Sequence, residues 1–255
     1  SETLDARFDQ GSGELLSLTQ GGGTRFEQDK RKGSATDSVY EQALGRLLLT
    51  GNARVDQPSV AIAADKITIT EPTGQLDAAG RVTARYSEDA PSADGDGMFE
   101  PGEPVFAAAD TMSSDQGKGR IVYEGRARLW QKVNRVEAKR IVVDRTAKTL
   151  DADGEVRSTL RGAEEGAQPA LVRSKRLLYR EQERQAQYRG EVQLTRGPLR
   201  VLGDELDAKL TGESGASLES AEARGGVEVL QTESGQKGFG DKARYEAATE
   251  QVVLD

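Results

Sequence analysis

One pattern recurs along the whole chain: a small residue, two polar residues and then alternating apolar residues. Examples are AADKITI (63–69), EAKRIVV (137–143) and RSKRLLY (173–179). The third residue of each seven is called the anchor, and the anchors are Thr36, Asp65, Asp110, Lys139, Lys175, Asp204 and Asp241. Successive anchors are 29, 45, 29, 36, 29 and 37 residues apart. The recurring spacing of 29 indicates a stack of similar units, each needing its neighbours to bury its apolar face.

Each unit reads as strand, turn, strand. After a polar or glycine-containing turn come stretches such as LLLTGNARV (47–55), YEGRARL (123–129) and YRGEVQL (188–194). Apolar or small residues alternate there with mostly polar ones, which is typical of strands with one covered and one solvated face. No sustained helical periodicity is present, so we predict an all-β chain of repeated antiparallel strands.

The glycine that recurs within these stretches has two interpretations. Glycine inside a strand commonly marks a bulge or a bend, because it lacks a Cβ and tolerates positive φ. Alternatively, the missing side chain leaves room for a ligand chain against the inner wall.

Composition narrows the functional classes. The chain has no Cys and no His, which excludes disulfides and removes the commonest general base and metal ligand. Hydrophobic residues make up only 35% and aromatic residues 5%, which favours a thin or elongated body. The net charge of −8 argues against a nucleic-acid partner. We therefore expect no enzyme, no catalytic residues, no metal and no cofactor.

The repeat resembles a known family. The segment ATDSVYEQALGRLLLTGNARVDQPSVAIAADKITI (35–69) is similar to the OstA-like domain of the LptA family, and segments 120–156 and 173–208 match more loosely. The matching positions are Tyr40, Gly45, Gly51, Asn52, Ala64 and Asp65. Later copies depart from the pattern: Arg126 and Glu191 replace the asparagine, and Lys139 and Lys175 replace the aspartate.

The OstA-like domain forms the periplasmic lipopolysaccharide-transport bridge protein and the N-terminal part of its outer-membrane partner. The resemblance implies one elongated, V-shaped open β-jellyroll over residues 1–255, with an apolar interior that holds the acyl chains of lipid A and passes them toward the outer membrane. It implies lipopolysaccharide as a partner, edge-to-edge sheet extension with other Lpt-type jellyroll proteins, and head-to-tail self-association. It also implies a periplasmic location; SETLDARFDQ lacks the regions of a signal peptide, so we expect the export signal to be missing from this chain.

Strand alternation selects the candidates for the lipid-binding groove. Each is an apolar residue on the covered face, where plain core packing is the competing explanation. The candidates are Leu47, Leu49, Val55, Ile62, Ile67, Ile69, Val82, Ile121, Tyr123, Leu129, Val136, Ile141, Val143, Val156, Leu177, Tyr179, Tyr188, Val192, Leu194, Leu206, Val227 and Val229.

Two segments interrupt the repeat. Residues 87–119 are rich in Asp, Gly, Pro and Ser and predict an acidic surface-loop insertion. Its acidic residues Asp94, Asp96, Glu100 and Glu103 form only a fragment of a calcium-loop pattern. Around 157–172 the alternation weakens, which suggests a hinge between two parts of the groove.

Basic clusters at 30–32, 139–140 and 173–176 are candidates for phosphate contacts at the groove mouth, or are ordinary solvated strand faces. Two other functional classes stay open. A structural β-solenoid scaffold or adhesin requires a sealed core, and a carbohydrate-active β-helix enzyme requires a recurring pair of carboxylates in a cleft, which the sequence does not display outside 87–119.

Overall fold

The computed structural model describes residues 1–28, 30–87, 98–100, 102–161, 167–211 and 217–255. In this part of the chain, 18 strands join one sheet. The strands are β1 (Thr3–Phe8), β2 (Leu15–Gly21), β3 (Thr24–Gln28), β4 (Arg31–Ala35), β5 (Asp37–Glu41), β6 (Arg46–Gln57), β7 (Val60–Thr70), β8 (Gln75–Tyr86), β9 (Val105–Asp115), β10 (Arg120–Gln131), β11 (Asn134–Asp144), β12 (Thr149–Leu160), β13 (Ala170–Arg180), β14 (Gln185–Arg196), β15 (Leu199–Thr211), β16 (Ser217–Gln231), β17 (Gln236–Glu246) and β18 (Gln251–Leu254). Short 3₁₀ turns at Gln42–Leu44 and Glu71–Thr73 precede β6 and β8.

The sheet is an antiparallel meander. From β5 to β18, each strand pairs with the next one along the chain. At the start, β1 pairs with β2, and β2 pairs with β5. Strand β4 pairs with the second half of β6 while β5 pairs with its first half. Local hairpin connections of this kind confirm the predicted unit of strand, turn, strand and the all-β fold.

The predicted insertion at 87–119 is corrected by the structure, because Val105–Asp115 is strand β9 and pairs with both β8 and β10. The Pro- and Gly-rich composition ends at Pro104, and two of the four core side chains of β9 are the alanines Ala107 and Ala109, which give a weak apolar signal. Near the predicted hinge, β12 and β13 pair from Thr149–Arg180 to Leu160–Ala170. The hinge itself stays a prediction, and residues 162–166 lie outside the described part.

Every second long strand bends at a glycine. Gly51, Gly80, Gly125, Gly154 and Gly190 have φ between 75° and 81°, and the residue after each has φ between 48° and 55°. The register between neighbouring strands shifts at the same points. Two successive left-handed residues form a bulge that turns the strand sharply, and the bulges of successive strands align into one bend line across the sheet.

The anchors explain why glycine is required there. A Cβ on Gly154 would lie 2.9 Å from the Cβ of Lys139, and a Cβ on Gly51 would lie 2.6 Å from the hydroxyl of Thr36. The anchor side chain of one strand thus covers the glycine of the next on the outer surface. The structure supports the bend, and the anchor fills the outer side of each glycine. Room for a ligand chain against the inner wall is compatible with the bend and stays a prediction.

Where the charge of an anchor departs from the family pattern, the charge of its ion-pair partner across the bend line is opposite to it. Asp65 pairs with Arg81 and Asp110 with Arg126, whereas Lys139 pairs with Glu155 and Lys175 with Glu191. The sign of the anchor reverses between β9 and β11, and its partner reverses with it. These are exposed pairs of small individual stability, but they keep like charges from facing each other.

The bend folds the sheet into two facing walls. Wall 1 consists of the strand halves that end at turns 42–45, 71–74, 116–119, 145–148, 181–184 and 247–250, and wall 2 consists of the halves that end at turns 58–59, 132–133, 197–198 and 232–235. The gap between the two rows of turns, opposite the bend line, is called the mouth.

A single contact shows that the walls face each other. Tyr86 pairs in register with Val105 and Tyr123 pairs with Met112, so on a flat sheet the tyrosines would stand seven residues apart along β9. At about 3.3 Å per residue this is roughly 23 Å. Their hydroxyls are nevertheless hydrogen-bonded to each other, which requires wall 2 to lie over wall 1.

Candidate functional site

The inner faces of the two walls form one continuous apolar core, and every predicted lining residue lies in it or against it. Leu47, Val143 and Val229 are partly buried and pack against the core; the other candidates are buried within it. The structure therefore brings the predicted residues together on one inner surface that runs from β6 to β17.

Sequence reasoning missed part of this surface. The omitted inward residues are mostly small or lie at strand ends, and include Ala53, Leu76, Ala78, Tyr86, Met98, Ala107, Met112, Ala127, Leu150, Ala152, Leu160, Val172, Val201, Leu210, Leu218 and Tyr245. Strand parity could have found Ala53, Tyr86, Ala127, Leu160 and Leu210, because each lies an even number of residues from a chosen neighbour on its side of the bulge. The others within strands lie on strand halves from which no candidate was chosen. The many alanines make the lining shallow and leave the walls close together.

Polar contacts bridge the two walls inside this apolar surface. Tyr86 on wall 2 bonds Tyr123 on wall 1, and the hydroxyl of Ser158 on wall 2 lies 2.8 Å from that of Tyr188 on wall 1. Burial raises the pKa of both Tyr123 and Tyr188. Each buried hydroxyl thus has its partner on the opposite wall, and separating the walls would break these bonds.

Arginines take part in the bridging at the mouth. On wall 2, Arg196 donates to the hydroxyl of Tyr245 on wall 1, with its guanidinium 5.6 Å from the ring centroid. In the turn after β11, on wall 1, Arg145 lies 6.0 Å from the ring of Tyr86 on wall 2. Cation–π contacts of this length are favourable, and here both cross from one wall to the other.

Part of the mouth is covered by the segment before β9. Met98 is buried, and its carbonyl accepts from the amide of Asn134 at 2.9 Å. The side chain of Gln131 donates to the carbonyls of Glu100 and Glu103 at 2.8 and 2.9 Å. The turn between β10 and β11 therefore holds this segment against the end of wall 2.

The acidic residues considered for calcium divide between two situations. Asp94 and Asp96 lie outside the described residues. The carboxylates of Glu100 and Glu103 each lie 3.0 Å from the amine of Lys132. Within the described ranges, no group of three or more acidic side chains is placed to hold a metal ion.

Two of the basic clusters lie away from the mouth. Lys139 and Lys175 are anchors on the outer bend line and pair with Glu155 and Glu191. Arg176, next to the bend, pairs with Asp151. They are solvated, ion-paired strand faces. The third cluster, at 30–32, does lie at the mouth, because Lys30 and Arg31 line a cavity between the turn at 58–59 on wall 2 and the turn at 71–74 on wall 1. A phosphate contact by this cluster stays a prediction.

Both ends of the sheet carry strands with an open edge in the described part of the chain. Strand β1 pairs with β2 alone and exposes Leu4 and Phe8. At the other end, β18 pairs only with Ala243–Glu246 of β17, so the first half of β17, with the exposed Phe239, pairs on one side only. Open edges with exposed apolar side chains can extend by pairing with another strand.

Helices contribute little to the described structure, and none of them has the length and apolar character needed to cross a membrane.

Comparison with known proteins identifies the class. The family described as "LptA/(LptD N-terminal domain) LPS transport protein" matches residues 34–149 and 171–255. A crystal structure of LptH, described as the LptA homologous periplasmic component of the conserved lipopolysaccharide transport device from Pseudomonas aeruginosa, is similar at a TM-score of 0.42 and 18% identity. The similarity covers 49% of this chain and 82% of that one. Comparison with curated protein sequences finds no significant match.

The family match spans well over half of the chain on both sides of residues 150–170. The chain therefore belongs to the LptA/LptD N-terminal family of lipopolysaccharide transport proteins.

Proposed function

We propose that this protein is a periplasmic carrier that holds the acyl chains of lipopolysaccharide between its two walls and passes them toward the outer membrane. The observation that carries the proposal is the continuous apolar inner surface from β6 to β17, with a row of turns on either side of the mouth. Family membership supports the choice of lipid.

Acyl chains enter this surface by replacing contacts between the walls. Each CH₂ group transferred from water to an apolar surface contributes roughly 0.8 kcal/mol. The cost is the loss of wall-to-wall contacts, including the bridges Tyr86–Tyr123 and Ser158–Tyr188. Acyl chains offset this cost by covering the Leu, Ile, Val and Tyr side chains that the opposite wall no longer covers.

The bend line is suited to such opening. The covalent connection between the walls is a row of bulges, whose outer ion pairs involve neighbouring strands at the bend rather than the opposite wall. A change of angle at the bulges would open the mouth and leave the strand pairing within each wall unchanged. Transport is then sliding along a groove, without covalent chemistry.

The open edges supply the connection to other proteins. A partner of the same fold, or a second copy of the chain, would add a strand to β1, which continues wall 1, or to the first half of β17, which continues wall 2. The acyl-chain surface would then continue from one protein into the next. Edge-to-edge extension and head-to-tail self-association are therefore part of the proposal.

The close contact of the walls also fits a closed scaffold that binds no lipid. Native mass spectrometry of the full chain with lipopolysaccharide, and with its deacylated saccharide, separates the two functions. The carrier predicts a complex with the intact lipid and none with the saccharide. Absence of any complex, or equal binding of the deacylated form, would refute the acyl-chain groove.

A further inference from the structure

Arg196 occupies an unusual position for a charged residue. It is the last inward residue of β14, on the same face as the lining residues Val192 and Leu194. Its side chain is 7% exposed. A cation therefore lies within the inner surface at the mouth, at the place where acyl chains would end and a head group would begin.

The charge of Arg196 is weakly balanced by the described residues. Its guanidinium, which carries five N–H donors, donates to the neutral hydroxyl of Tyr245. The carboxylate of Glu250 is 3.5 Å away, but that side chain is 75% exposed, so water screens its charge. Buried charges are normally paired with a counter-charge and fully hydrogen-bonded, which leaves Arg196 able to accept an anion.

A second polar group lies in the same row. Arg196 pairs in register with Leu199, and Leu199 pairs with Gln231, which follows the lining residues Val227 and Val229 on the inner face. The side-chain oxygen of Gln231 is buried and has no hydrogen-bond partner. Two strand spacings place it about 10 Å from Arg196 in the backbone. An orphaned acceptor needs a donor such as a hydroxyl.

The same kind of arrangement occurs a second time along the mouth. Arg145 lies over the ring of Tyr86, and its Nε is buried without a hydrogen-bond partner. Like Arg196, it is an arginine on one wall in contact with a tyrosine on the other. The mouth thus carries two cross-wall arginine–tyrosine pairs.

We propose that Arg196 and Gln231 bind the head group of the carried lipid, which in lipopolysaccharide is a phosphorylated saccharide. The phosphate takes bidentate hydrogen bonds from Arg196, the geometry for which a guanidinium is best suited, and a sugar hydroxyl donates to Gln231. Tyr86, which Arg145 contacts, lies six strand spacings from Arg196 along wall 2, or about 29 Å, so Arg145 does not reach the same head group. This site rests on the proposed function, because it selects among lipids whose chains the groove already holds.

The test compares two lipids that differ only in phosphate: lipid A and lipid A from which the phosphates have been removed. Affinity of the full chain for each is measured for wild type, Arg196→Gln and Arg196→Lys. Arg200→Gln is the matched control, because Arg200 is exposed on the neighbouring strand β15 and loses the same charge.

Wild type should prefer the phosphorylated lipid by at least about tenfold, the effect of a charge-assisted hydrogen bond. Arg196→Gln should abolish this preference while keeping the affinity for the dephosphorylated lipid, Arg196→Lys should keep part of it, and Arg200→Gln should keep all of it. Equal loss for both lipids in Arg196→Gln would mean that Arg196 only braces the walls, and would overturn the proposal. Binding of both lipids with no preference in wild type would overturn the head-group site alone, whereas binding of neither would overturn the carrier as well.

Discussion

The bend line makes a sharp prediction at two adjacent glycines. Gly225 and Gly226 both have positive φ, 80° and 56°. A Cβ on Gly225 would lie 2.7 Å from the carboxylate of Asp204 and 2.9 Å from its Cβ, whereas a Cβ on Gly226 would meet nothing within 4 Å. The equivalent of Gly226 in another unit is Asn52, with φ 48°. The two positions therefore separate the steric role of the anchor from backbone strain.

Gly225→Ala should be strongly destabilising. Left-handed backbone costs a residue with a Cβ about 1–2 kcal/mol, and forcing Asp204 aside adds about 1–3 kcal/mol as for other overpacked sites. We expect a loss of about 2–5 kcal/mol in the free energy of unfolding. Gly226→Asn should change it by less than about 1 kcal/mol, because asparagine tolerates this conformation and the unfolded chain becomes less flexible.

Urea denaturation of the two variants measures the difference. Asp204→Gly in the Gly225→Ala background should recover the steric part, giving a coupling free energy of about 1–3 kcal/mol in a double-mutant cycle. If Gly225→Ala and Gly226→Asn cost the same, or if Asp204→Gly recovers nothing, the anchor does not impose the glycine and the account of the bend is wrong.

Three further predictions concern the ion pairs at the bend and the hydrogen bonds between the walls. Arg126→Glu should lower the thermal midpoint, because the new carboxylate faces that of Asp110. Adding Asp110→Lys should restore the midpoint, since the pair Lys139–Glu155 already has this polarity; a double variant with the same midpoint as the single one would contradict the prediction. Hydrogen bonds from Arg81 and Arg126 lower the pKa of Asp65 and of Asp110. The stability that these two ion pairs provide is therefore present above the unfolded pKa of about 4 and is lost as the pH falls below it. Thermal melts between pH 6 and about pH 3 should show a falling midpoint, and the midpoint should depend less steeply on pH in Arg81→Gln. Burial raises the pKa of Tyr188, so the stability that the neutral side chain provides is present below the unfolded pKa of about 10 and is lost as the pH rises above it. Tyr188→Phe should lower the free energy of unfolding by about 1–2 kcal/mol at neutral pH, because Ser158 loses its hydrogen-bond partner. Above a pH of about 10, the urea midpoint of this variant should fall less than that of the wild type.

The fold could be predicted from the sequence to the extent that local pattern determines it. Period-2 alternation identified the inward face at Ile67, Leu129 and Val192, and the recurring glycine marked the points at which strands bend. Strand β9 was partly hidden, because the alanines Ala107 and Ala109 carry the inward face there without a strong apolar signal.

The cross-wall contacts could not be predicted in the same way. The pairing of Arg196 with Tyr245 joins residues 49 positions apart on strands that are not neighbours, and it depends on how far the sheet folds at the bend. In the sequence, Lys139 departs from the aspartate of the family pattern, and only the folded sheet places its ion-pair partner Glu155 across the bulge. Features that depend on one strand, such as its inward face and its bulge, could be predicted from the sequence. Contacts that depend on how the two walls face each other could not.

Site-specific photo-crosslinking to lipopolysaccharide tests the acyl-chain groove most directly. A photoreactive residue is placed at inward positions and at their outward neighbours on the same strands. The inward positions are Ile67, Leu129 and Val192, and the outward ones are Thr68, Arg128 and Gln193. The account predicts crosslinks at the inward positions only. Crosslinks at the outward positions alone, or at no position in folded protein, would contradict it and leave a closed scaffold as the better description.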